Sequence, residues 1–414
     1  MHIKSWLSIP ENSDFSIYNL PYGIFSWKDG EKRAGVAIGK YVIDMHRLQQ
    51  EGLLNINGLK DGVFLSDELN DFISCGKEVW SGVRKTLTDL LTEGNNELKD
   101  QQDDILILQS DVRMHLPVKV GDYTDFYSSV EHATNVGIMF RGKENALMPN
   151  WKHIPVAYHG RASSIVVSGT PLHRPKGQMM PNDADKPVYG PSRLLDIELE
   201  MAFVVGEDNP LGQPVDVKQA EDHIFGMVIF NDWSARDIQK WEYVPLGPFL
   251  GKNFGSSVSP WIVTMEALQP FKVDSPEQDV AVLPYLKGDK KASYDIKLQA
   301  YLTPKDGEDN LITESNHKYL YWTMQQQLAH HTVNGCNMRV GDMCASGTIS
   351  GKTEDSYGSL LELTWRGEKP LKLKDGSERK FLQDHDQVTM KAYAEKDGRR
   401  VGFGQVKTEI LPAL

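Results

Sequence analysis

One short stretch of alternating residues constrains the fold more than any other part of the chain. Residues 195–201 read Leu-Asp-Ile-Glu-Leu-Glu-Met, so that apolar and acidic residues alternate strictly. This period of two is typical of a β-strand with two unlike faces, and it places Asp196, Glu198 and Glu200 on one face, about 7 Å apart. Partly buried carboxylates repel one another, and a hard cation such as Ca²⁺ or Mg²⁺ relieves that repulsion. The stretch alone leaves two alternatives open, a metal site and a solvated acidic face.

The composition narrows the class of protein. The chain has 414 residues, of which 40% are hydrophobic and 25% charged, as in globular proteins with two or three domains. A formal net charge of −12 and a pI near 5.5 argue against binding to nucleic acid or to anionic membrane surfaces. The three cysteines form no C-x-x-C pair, and we find no signal-peptide core and no membrane-spanning apolar run. These features predict a cytoplasmic protein with reduced thiols.

The pattern of short apolar runs predicts a mainly β, mixed α+β chain rather than a doubly wound sheet. Strands are predicted at residues 195–205, 224–230 and 360–365, and helices at residues 67–93 and 316–334. A break in the first helix is expected near Gly76 or Gly82. A polar stretch at residues 94–104 and a change in character near residue 118 divide the chain into units of residues 1–117 and 118–414.

Two segments concentrate polar groups around basic residues. Residues 121–141 supply acids and phenols together with His132 and Arg141. Residues 245–255 are rich in glycine and proline, which fix a loop that presents Lys252. A hydrogen-bonded structural histidine and a flexible surface lysine are the alternatives to a functional interpretation, and the rigid loop weakens the second of these.

A third polar segment follows the predicted strand at residues 224–230. Ser234 is predicted to cap a helix on which Arg236, Gln239 and Tyr243 share one face. A guanidinium, an amide and a phenol on one face suit the binding of a carboxylate or of a developing oxyanion, although a polar helix surface is the alternative. The chain lacks the nucleophile-elbow, phosphate-loop and zinc-protease motifs, so these three segments are the main candidates for chemistry.

Long runs of the chain closely resemble the fumarylacetoacetase family. They include Gly-Asp-Tyr-Thr-Asp-Phe-Tyr-Ser-Ser from residue 121, His-Ala-Thr-Asn-Val-Gly-Ile-Met-Phe-Arg from residue 132, Asn-Asp-Trp-Ser-Ala-Arg-Asp-Ile-Gln from residue 231 and Pro-Leu-Gly-Pro-Phe-Leu-Gly-Lys from residue 245. The resemblance covers nearly the whole chain and is weak between about residues 45 and 105. It implies an N-terminal SH3-like barrel domain at residues 1–117, a C-terminal β-roll domain at residues 118–414, and a homodimer.

The reaction that the resemblance implies is hydrolysis of a carbon–carbon bond. The substrate would be the diketo diacid fumarylacetoacetate, and the products fumarate and acetoacetate, in the last step of tyrosine and phenylalanine degradation. Attack of water on a ketone needs a base, for which histidine is suited, and donors that stabilise the oxyanion. A divalent ion can polarise the diketone and hold the leaving enolate, and no nucleophilic serine or cysteine is required.

The resemblance also assigns roles to individual residues. The implied metal ligands are Asp125, Glu198, Glu200 and Asp232, whereas Asp196 matches no family ligand. The implied general base is His132, paired with Glu362, and the implied oxyanion donors are Arg236, Gln239 and Lys252.

Further contacts follow from the same resemblance. The implied contacts to the substrate carboxylates, or for its orientation, are Tyr127, Arg141, Tyr158, Gln239, Tyr243 and Thr348. A structural Mg²⁺ is implied near Asp232, Lys252 and Ser256, the last at a position where threonine is frequent in the family. The cofactors expected are therefore Ca²⁺ and Mg²⁺.

Two other functions fit part of the pattern. A hydratase, decarboxylase or tautomerase of the same superfamily would share the metal carboxylates and act on a related 2-oxo acid. A non-catalytic, metal-stabilised binding protein is the second alternative, which the filled catalytic positions disfavour. Product analysis separates the enzymes, and a turnover assay separates enzyme from binding protein.

Overall fold

The computed structural model describes residues 3–28 and 30–414, and sheets outweigh helices in it. The helices are α1 (Met45–Gln50), α2 (Asn70–Ile73), α3 (Lys77–Leu91), α4 (Gln102–Ile105), α5 (Val130–Arg141), α6 (Arg236–Glu242), α7 (Met265–Leu268), α8 (Met324–Thr332) and α9 (Leu360–Leu363). Most are one to four turns long, so the helices cover and connect the sheets. This mixed, sheet-rich architecture agrees with the class predicted from the sequence.

Within the described residues, the strands form three larger sheets and four two-stranded ribbons. In chain order they are β1 (Tyr22–Trp27), β2 (Arg33–Ile38), β3 (Tyr41–Asp44), β4 (Leu106–Leu108), β5 (Val112–His115), β6 (Tyr123–Phe126), β7 (Ala157–Gly160), β8 (Ile165–Val167), β9 (Leu172–His173), β10 (Lys176–Met179), β11 (Val188–Pro191), β12 (Leu195–Asp196), β13 (Leu199–Val205), β14 (Ile224–Asp232), β15 (Ser234–Ala235), β16 (Ser256–Val258), β17 (Val263–Thr264), β18 (Lys272–Val273), β19 (Ser293–Tyr294), β20 (Lys297–Thr303), β21 (Asn310–Asn316), β22 (Met343–Ala345), β23 (Leu371–Lys372), β24 (Glu378–Arg379), β25 (Gln387–Lys396) and β26 (Arg399–Leu411).

The first sheet is antiparallel, has the order β4-β3-β2-β1-β5, and belongs to the N-terminal part of the chain. Helix α3 buries an apolar stripe, as the helical spacing predicts, in the apolar cluster that the first and central sheets share. The predicted helix at residues 67–93 is divided into α2 and α3. The break falls at Gly76, whose φ of 88° lies in the left-handed region that a helix interior does not use.

The central sheet carries most of the polar residues of interest. Its order is β7-β6-β22-β13-β14-β16-β8, and β17 pairs with β14. Strand β13 is buried along its whole length, and successive side chains point to opposite faces. Met201 and Phe203 pack into one apolar cluster with the third sheet, whereas Ala202 and Val204 pack into another with the N-terminal sheet. The central sheet therefore lies between the other two.

The third sheet has the order β21-β20-β25-β26-β9, and the long hairpin β25–β26 turns at residues 396–399. The predicted helix at residues 316–334 is wrong over its first half. Strand β21 ends at Asn316, and α8 begins only at Met324. Thr323 and Gln326 form a capping box there, which fixes the start of the helix.

The predicted strand at residues 360–365 is also wrong, because these residues form the short helix α9. Ser359 precedes it, and the Ser359 hydroxyl accepts a hydrogen bond from the backbone N–H of Glu362 at 3.3 Å. A serine cap favours a helical turn, and so short an apolar run does not by itself distinguish a strand from a helix. Across residues 3–28 and 30–414, we find no helix whose length and apolar character would let it span a membrane.

Candidate active site

Neighbouring segments of the central sheet bring four acidic residues together, which we call the carboxylate cluster: Asp125, Glu198, Glu200 and Asp232. Asp125 lies on β6, Glu200 on β13 and Asp232 at the end of β14, while Glu198 lies in the break between β12 and β13. All four are buried. Carboxylate oxygens of Asp125, Glu198 and Asp232 lie within 4.8 Å of one another. A solvated acidic face is therefore wrong for this stretch.

Two oxygen atoms of the carboxylate cluster have no hydrogen-bond partner among the described residues. They are Oδ1 of Asp125 and Oε1 of Glu200, and both are buried. The other oxygen of Glu200 accepts a hydrogen bond from the backbone N–H of Gly347 at 3.1 Å. Gly347 has a φ of 75°, and a Cβ there would lie 2.2 Å from the Phe126 carbonyl oxygen. Only glycine fits here, because a side chain would collide with the Phe126 backbone, and the glycine places its N–H on the carboxylate.

Ionisation is unfavourable for two members of the carboxylate cluster, Asp125 and Glu200. Burial and then the charge of Asp232 raise the pKa of Asp125 well above its ordinary value. Burial and the charges of Asp125 and Glu198 raise the pKa of Glu200 in the same way. Buried like charges at this separation require either protonation or a counter-charge.

Two cations neutralise the remaining members. The Lys252 ammonium donates to Glu198 and, at 2.8 Å, to Oδ2 of Asp232, and Nη1 of Arg236 lies 2.8 Å from Oε1 of Glu198. Burial opposes ionisation of Glu198, but the charges of Lys252 and Arg236 lower the pKa of that carboxyl to about 2.

The donor set of the carboxylate cluster fits a hard divalent cation. All its ligand atoms are carboxylate oxygens, which Ca²⁺ and Mg²⁺ prefer over the nitrogen and sulfur atoms that zinc takes. The two unpartnered oxygens of Asp125 and Glu200 are the groups that a cation would satisfy.

The residues implied for a second metal surround Asp232. The hydroxyl of buried Ser256 donates to Oδ1 of Asp232 at 3.0 Å, and the hydroxyl of Tyr158 donates to Oδ2. The carboxylates of Asp232 and Glu198 outweigh burial and raise the pKa of Lys252. The protonated Lys252 side chain has no lone pair to offer a cation.

A histidine–carboxylate pair lies next to the carboxylate cluster. Nδ1 of His132 and Oε2 of Glu362 are 2.6 Å apart, and both side chains are buried. Oε2 of Glu362 also accepts from the hydroxyls of Ser350 and Ser359, and Oε1 accepts from Asn135, each at 2.9 Å. Burial opposes the charge on Glu362, but His132 and these hydrogen bonds lower its pKa. Glu362 is thus a fully hydrogen-bonded carboxylate.

Helix α5 holds His132 in place through its first turn. Its N-cap, Ser129, accepts a hydrogen bond from the backbone N–H of His132 at 3.1 Å and donates to the Ser350 carbonyl at 3.1 Å. The Tyr127 ring packs edge-on against the His132 ring, with 5.2 Å between centroids. Burial and then the charge of Glu362 raise the pKa of Tyr127, which stays a neutral phenol.

Helix α6 presents Arg236 and Gln239 towards the same region. Nη1 of Arg236 donates to Oε1 of Gln239 at 3.3 Å, while Nη2 is buried without a hydrogen-bond partner among the described residues. Gly251, next to Lys252, approaches so closely that a Cβ there would lie 2.8 Å from the backbone of Gln239. The predicted cap by Ser234 is wrong, because its hydroxyl donates back to the Asp232 carbonyl at 3.2 Å.

The remaining predicted contact residues differ in their surroundings. Thr348 is buried, and its hydroxyl has no hydrogen-bond partner in the described part of the chain. Tyr243 is 50% exposed at the end of α6. Arg141 is exposed at the end of α5, where Nε donates to the Asn145 carbonyl at 3.1 Å and Nη2 to the Ala146 carbonyl at 2.6 Å. The positive charge of Arg141 acts against the rise in the pKa of Tyr127 that burial causes.

The sequence analysis assigned no supporting role to three polar residues of the site. Asn135 and Ser350 bind Glu362, and Asp196 binds Arg236. The spacing of His132 and Asn135, three residues apart on a helix, is a signal that could have found one of them. Ser350 and Asp196 meet their partners only through tertiary contacts.

Most of the chain matches known protein families. Residues 18–117 match the family described as fumarylacetoacetase N-terminal, and residues 122–411 match fumarylacetoacetate (FAA) hydrolase C-terminal. The chain is 54% identical to human fumarylacetoacetase over 99% of both chains, and 54% identical to that of Dictyostelium discoideum over 99% of this chain and 98% of the other.

A solved structure shares the fold at low sequence identity. The fumarylacetoacetate hydrolase from psychrophilic Exiguobacterium antarcticum is 19% identical, with a TM-score of 0.54, over 95% of this chain and 99% of its own. The family matches together cover most of the chain. This chain therefore belongs to the fumarylacetoacetase family.

Proposed function

We propose that this protein is a hydrolase that cleaves fumarylacetoacetate at a carbon–carbon bond, giving fumarate and acetoacetate. The activity is that of its full-length relatives, whose names describe it. The observation that carries the proposal is the His132–Glu362 pair, which lies beside a carboxylate cluster with unpartnered oxygens. A base, an oxyanion site and a cation site within one buried region are what hydrolysis of a β-diketone needs.

The pair His132–Glu362 activates water. Glu362 accepts a hydrogen bond from Nδ1 of His132, which fixes the tautomer and leaves Nε2 to take the proton. The hydroxide attacks the ketone carbon beside the bond that breaks, and the carbonyl oxygen becomes an alkoxide. The ionised Glu362 stabilises the imidazolium formed in this step.

Arg236, Gln239 and Lys252 stabilise the alkoxide. The buried, unpartnered Nη2 of Arg236 is a charged donor available to a new oxygen, and Lys252 remains an ammonium. When the alkoxide collapses, the carbon–carbon bond breaks and its electron pair leaves with the acetoacetate carbon. The His132 imidazolium returns the proton to that carbon, so that water has added across the broken bond and the base is restored.

Asp125, Glu198, Glu200 and Asp232 would hold a Ca²⁺ ion, and Asp232 and Ser256 would adjoin a structural Mg²⁺ near Lys252. The chemistry that a divalent cation supplies is Lewis acidity towards the diketone oxygens. The two unpartnered oxygens support the first site, and the Ser256–Asp232 hydrogen bond supports the second.

Binding of the substrate diacid is assigned to Tyr127, Arg141, Tyr158, Gln239, Tyr243 and Thr348. The unpartnered hydroxyl of Thr348 and the neutral phenol of Tyr127 support this assignment, because both are free to donate to a carboxylate. An arginine such as Arg141 offers the planar fork that fits a carboxylate in bidentate fashion.

The organisation of the chain belongs to the same proposal. We assign residues 1–117 to an SH3-like barrel domain and residues 118–414 to a β-roll domain of a homodimer. The antiparallel first sheet, which lies wholly before residue 117, supports the first assignment. A cytoplasmic location is supported by three free cysteines at positions 75, 336 and 344.

Product analysis tests the proposed reaction. Purified protein with Ca²⁺ is incubated with fumarylacetoacetate, and the absorbance of the conjugated diketone is followed while the products are quantified. We expect fumarate and acetoacetate in equal amounts at the rate of substrate loss. Release of CO₂, or a hydrated product without chain cleavage, would assign the protein to another reaction.

A further inference from the structure

Asp196 is a buried carboxylate with no part in the proposed reaction, yet four N–H groups donate to it. Oδ1 accepts from the backbone of Leu360 at 2.7 Å and of Ile197 at 2.8 Å. Oδ2 accepts from Nε of Arg236 at 2.8 Å and from the backbone of Leu361 at 3.1 Å. The side chain is fully buried, so that these contacts are shielded from water.

One half of these contacts holds the helix that carries Glu362. Helix α9 has only four residues, and a single helical turn is not stable in isolation. Asp196 binds the N–H groups of Leu360 and Leu361, the two residues directly before Glu362. The position of the Glu362 carboxylate, and with it the orientation of His132, therefore depends on Asp196.

The other half holds the guanidinium of Arg236. Nε is bound to Asp196 and Nη1 faces Glu198 and Gln239, which leaves Nη2 as the donor without a partner among the described residues. A guanidinium is planar, so two fixed nitrogens determine the direction of the third. Asp196 thus sets where Nη2 points.

We propose that Asp196 is a positioning residue that fixes the general-base pair and the oxyanion donor relative to each other. This inference rests on the proposed function, in which Glu362 and Arg236 act on the same reacting carbon. The single carboxylate of Asp196 binds both the helix that carries Glu362 and the guanidinium of Arg236, so that it sets the distance between the general-base pair and the oxyanion donor. A displacement of about 1 Å in such an arrangement costs roughly 10²-fold in rate.

The test is the substitution Asp196→Asn, which keeps the size of the side chain and removes its charge. We expect kcat for fumarylacetoacetate to fall roughly 10- to 100-fold while KM changes by less than about threefold. The matched control is Asp386→Asn. Asp386 is equally buried and accepts from Arg379 and from the backbone of Gln383, but it lies outside the site. We expect the control to lower the unfolding temperature and to keep kcat.

Combining Asp196→Asn with Glu362→Gln distinguishes a positioning role from general destabilisation of the protein. Asp196→Asn should reduce kcat by a smaller factor in the Glu362→Gln variant than in the wild type, and we expect the two factors to differ by at least about threefold. The reason is that Glu362, which Asp196 positions, has already lost its function in that variant. Losses that multiply, a loss confined to KM, or an equal loss of kcat in Asp386→Asn would overturn the assignment. If Asp196→Asn yields too little folded protein, Asp196→Glu keeps the charge but displaces the carboxylate, and the same pattern is expected.

The activity of the wild-type protein shows whether the proposed function or only the positioning role of Asp196 has failed. If the wild type does not release fumarate and acetoacetate, both the proposed function and the positioning role fail. If the wild type is active and the losses multiply, only the positioning role fails.

Discussion

Two buried glutamates in the same site have opposite surroundings. Glu362 receives four hydrogen bonds, from His132, Asn135, Ser350 and Ser359, which use both of its oxygens. Glu200 receives one, from Gly347, and its Oε1 has no partner among the described residues. The pKa of Glu362 is lowered, whereas that of Glu200 is raised well above its ordinary value.

The difference separates a carboxylate that the protein completes from one that it leaves incomplete. Glu198 and Asp232 of the carboxylate cluster have both oxygens bound, but in each case one partner is the ammonium of Lys252. A buried carboxylate whose oxygens are all bound to protein has its geometry fixed by the protein and is suited to orient a neighbour. A buried carboxylate beside other acids, with an oxygen left unpartnered, is completed only by a group from outside. The same comparison separates Asp196 from Asp125, although Asp196 shares an alternating acidic stretch with Glu200.

The largest expected effect is that of Glu200→Gln, which removes a ligand charge. We expect loss of nearly all turnover, and loss of the rise in unfolding temperature that Ca²⁺ gives the wild type. Glu221→Gln is the matched control, since Glu221 accepts from Lys272, Gln269 and Tyr294 away from the site. It should lower stability while the Ca²⁺-induced shift and kcat persist. An unchanged Ca²⁺ shift in Glu200→Gln would remove Glu200 from the ligand set.

The second effect concerns the His132–Glu362 pair. His132→Ala should reduce kcat by about 10²–10⁴, because the base is lost, while binding of a product analogue is largely kept. Glu362→Gln should also reduce kcat, since the amide cannot stabilise the imidazolium. The double variant should be little slower than His132→Ala alone. Multiplying losses would mean that Glu362 acts independently of His132.

A smaller effect is expected at Arg141, whose guanidinium is partly engaged by backbone carbonyls. Arg141→Lys loses the planar fork and should reduce kcat/KM for the dianionic substrate roughly 10- to 100-fold. An ester analogue, which lacks the carboxylate, should lose much less. Equal losses for the two substrates would mean that Arg141 only anchors the end of α5.

The smallest expected effect concerns stability at low pH and follows from comparing two buried histidines. His132 is bound to Glu362, whereas both ring nitrogens of buried His317 lack a partner among the described residues. Burial lowers the pKa of His317 to about 4 from an ordinary value of 6.5. The unfolded chain therefore binds the extra proton between pH 6.5 and 4, and stability is lost as the pH falls through this window.

This contribution is measurable by unfolding at several pH values. It amounts to roughly 2 to 3 kcal/mol over the window. His317→Phe should remove it, so that the free energy of unfolding falls less between pH 6.5 and 4 than in the wild type. His153→Gln, at an exposed histidine, is the control and should keep the wild-type slope. An unchanged slope in His317→Phe would show that other groups carry the acid sensitivity.

Local patterns predicted part of this molecule correctly. The alternation at residues 195–201 predicted strand structure near Glu200, and the apolar stripe of α3 predicted a packed helix, because both signals lie within a few neighbouring residues. The ligand set and the His132–Glu362 pair came from family resemblance, since residues on β6, β13, β14 and α9 meet only through tertiary contacts.

The wrong predictions also have a physical cause, namely contacts with residues that are distant in the sequence or pairing between strands. Residues 360–365 have a strand-like apolar run, but the hydrogen bonds that their backbone N–H groups donate to Ser359 and Asp196 select a helical turn. Ser234 is suited to cap a helix, but the β12–β15 pairing holds it in an extended conformation. The role of Asp196 could not be predicted because its partners Arg236 and Leu360 lie far along the chain.

The most direct test of the account is a cation titration of stripped protein. Protein treated exhaustively with chelator, and shown by elemental analysis to be free of metal, is titrated with Ca²⁺ or Mg²⁺ while binding heat and fumarylacetoacetate turnover are both recorded. We expect turnover to fall to background in the stripped protein and to return in proportion to bound cation. Full turnover in the metal-free protein would contradict it.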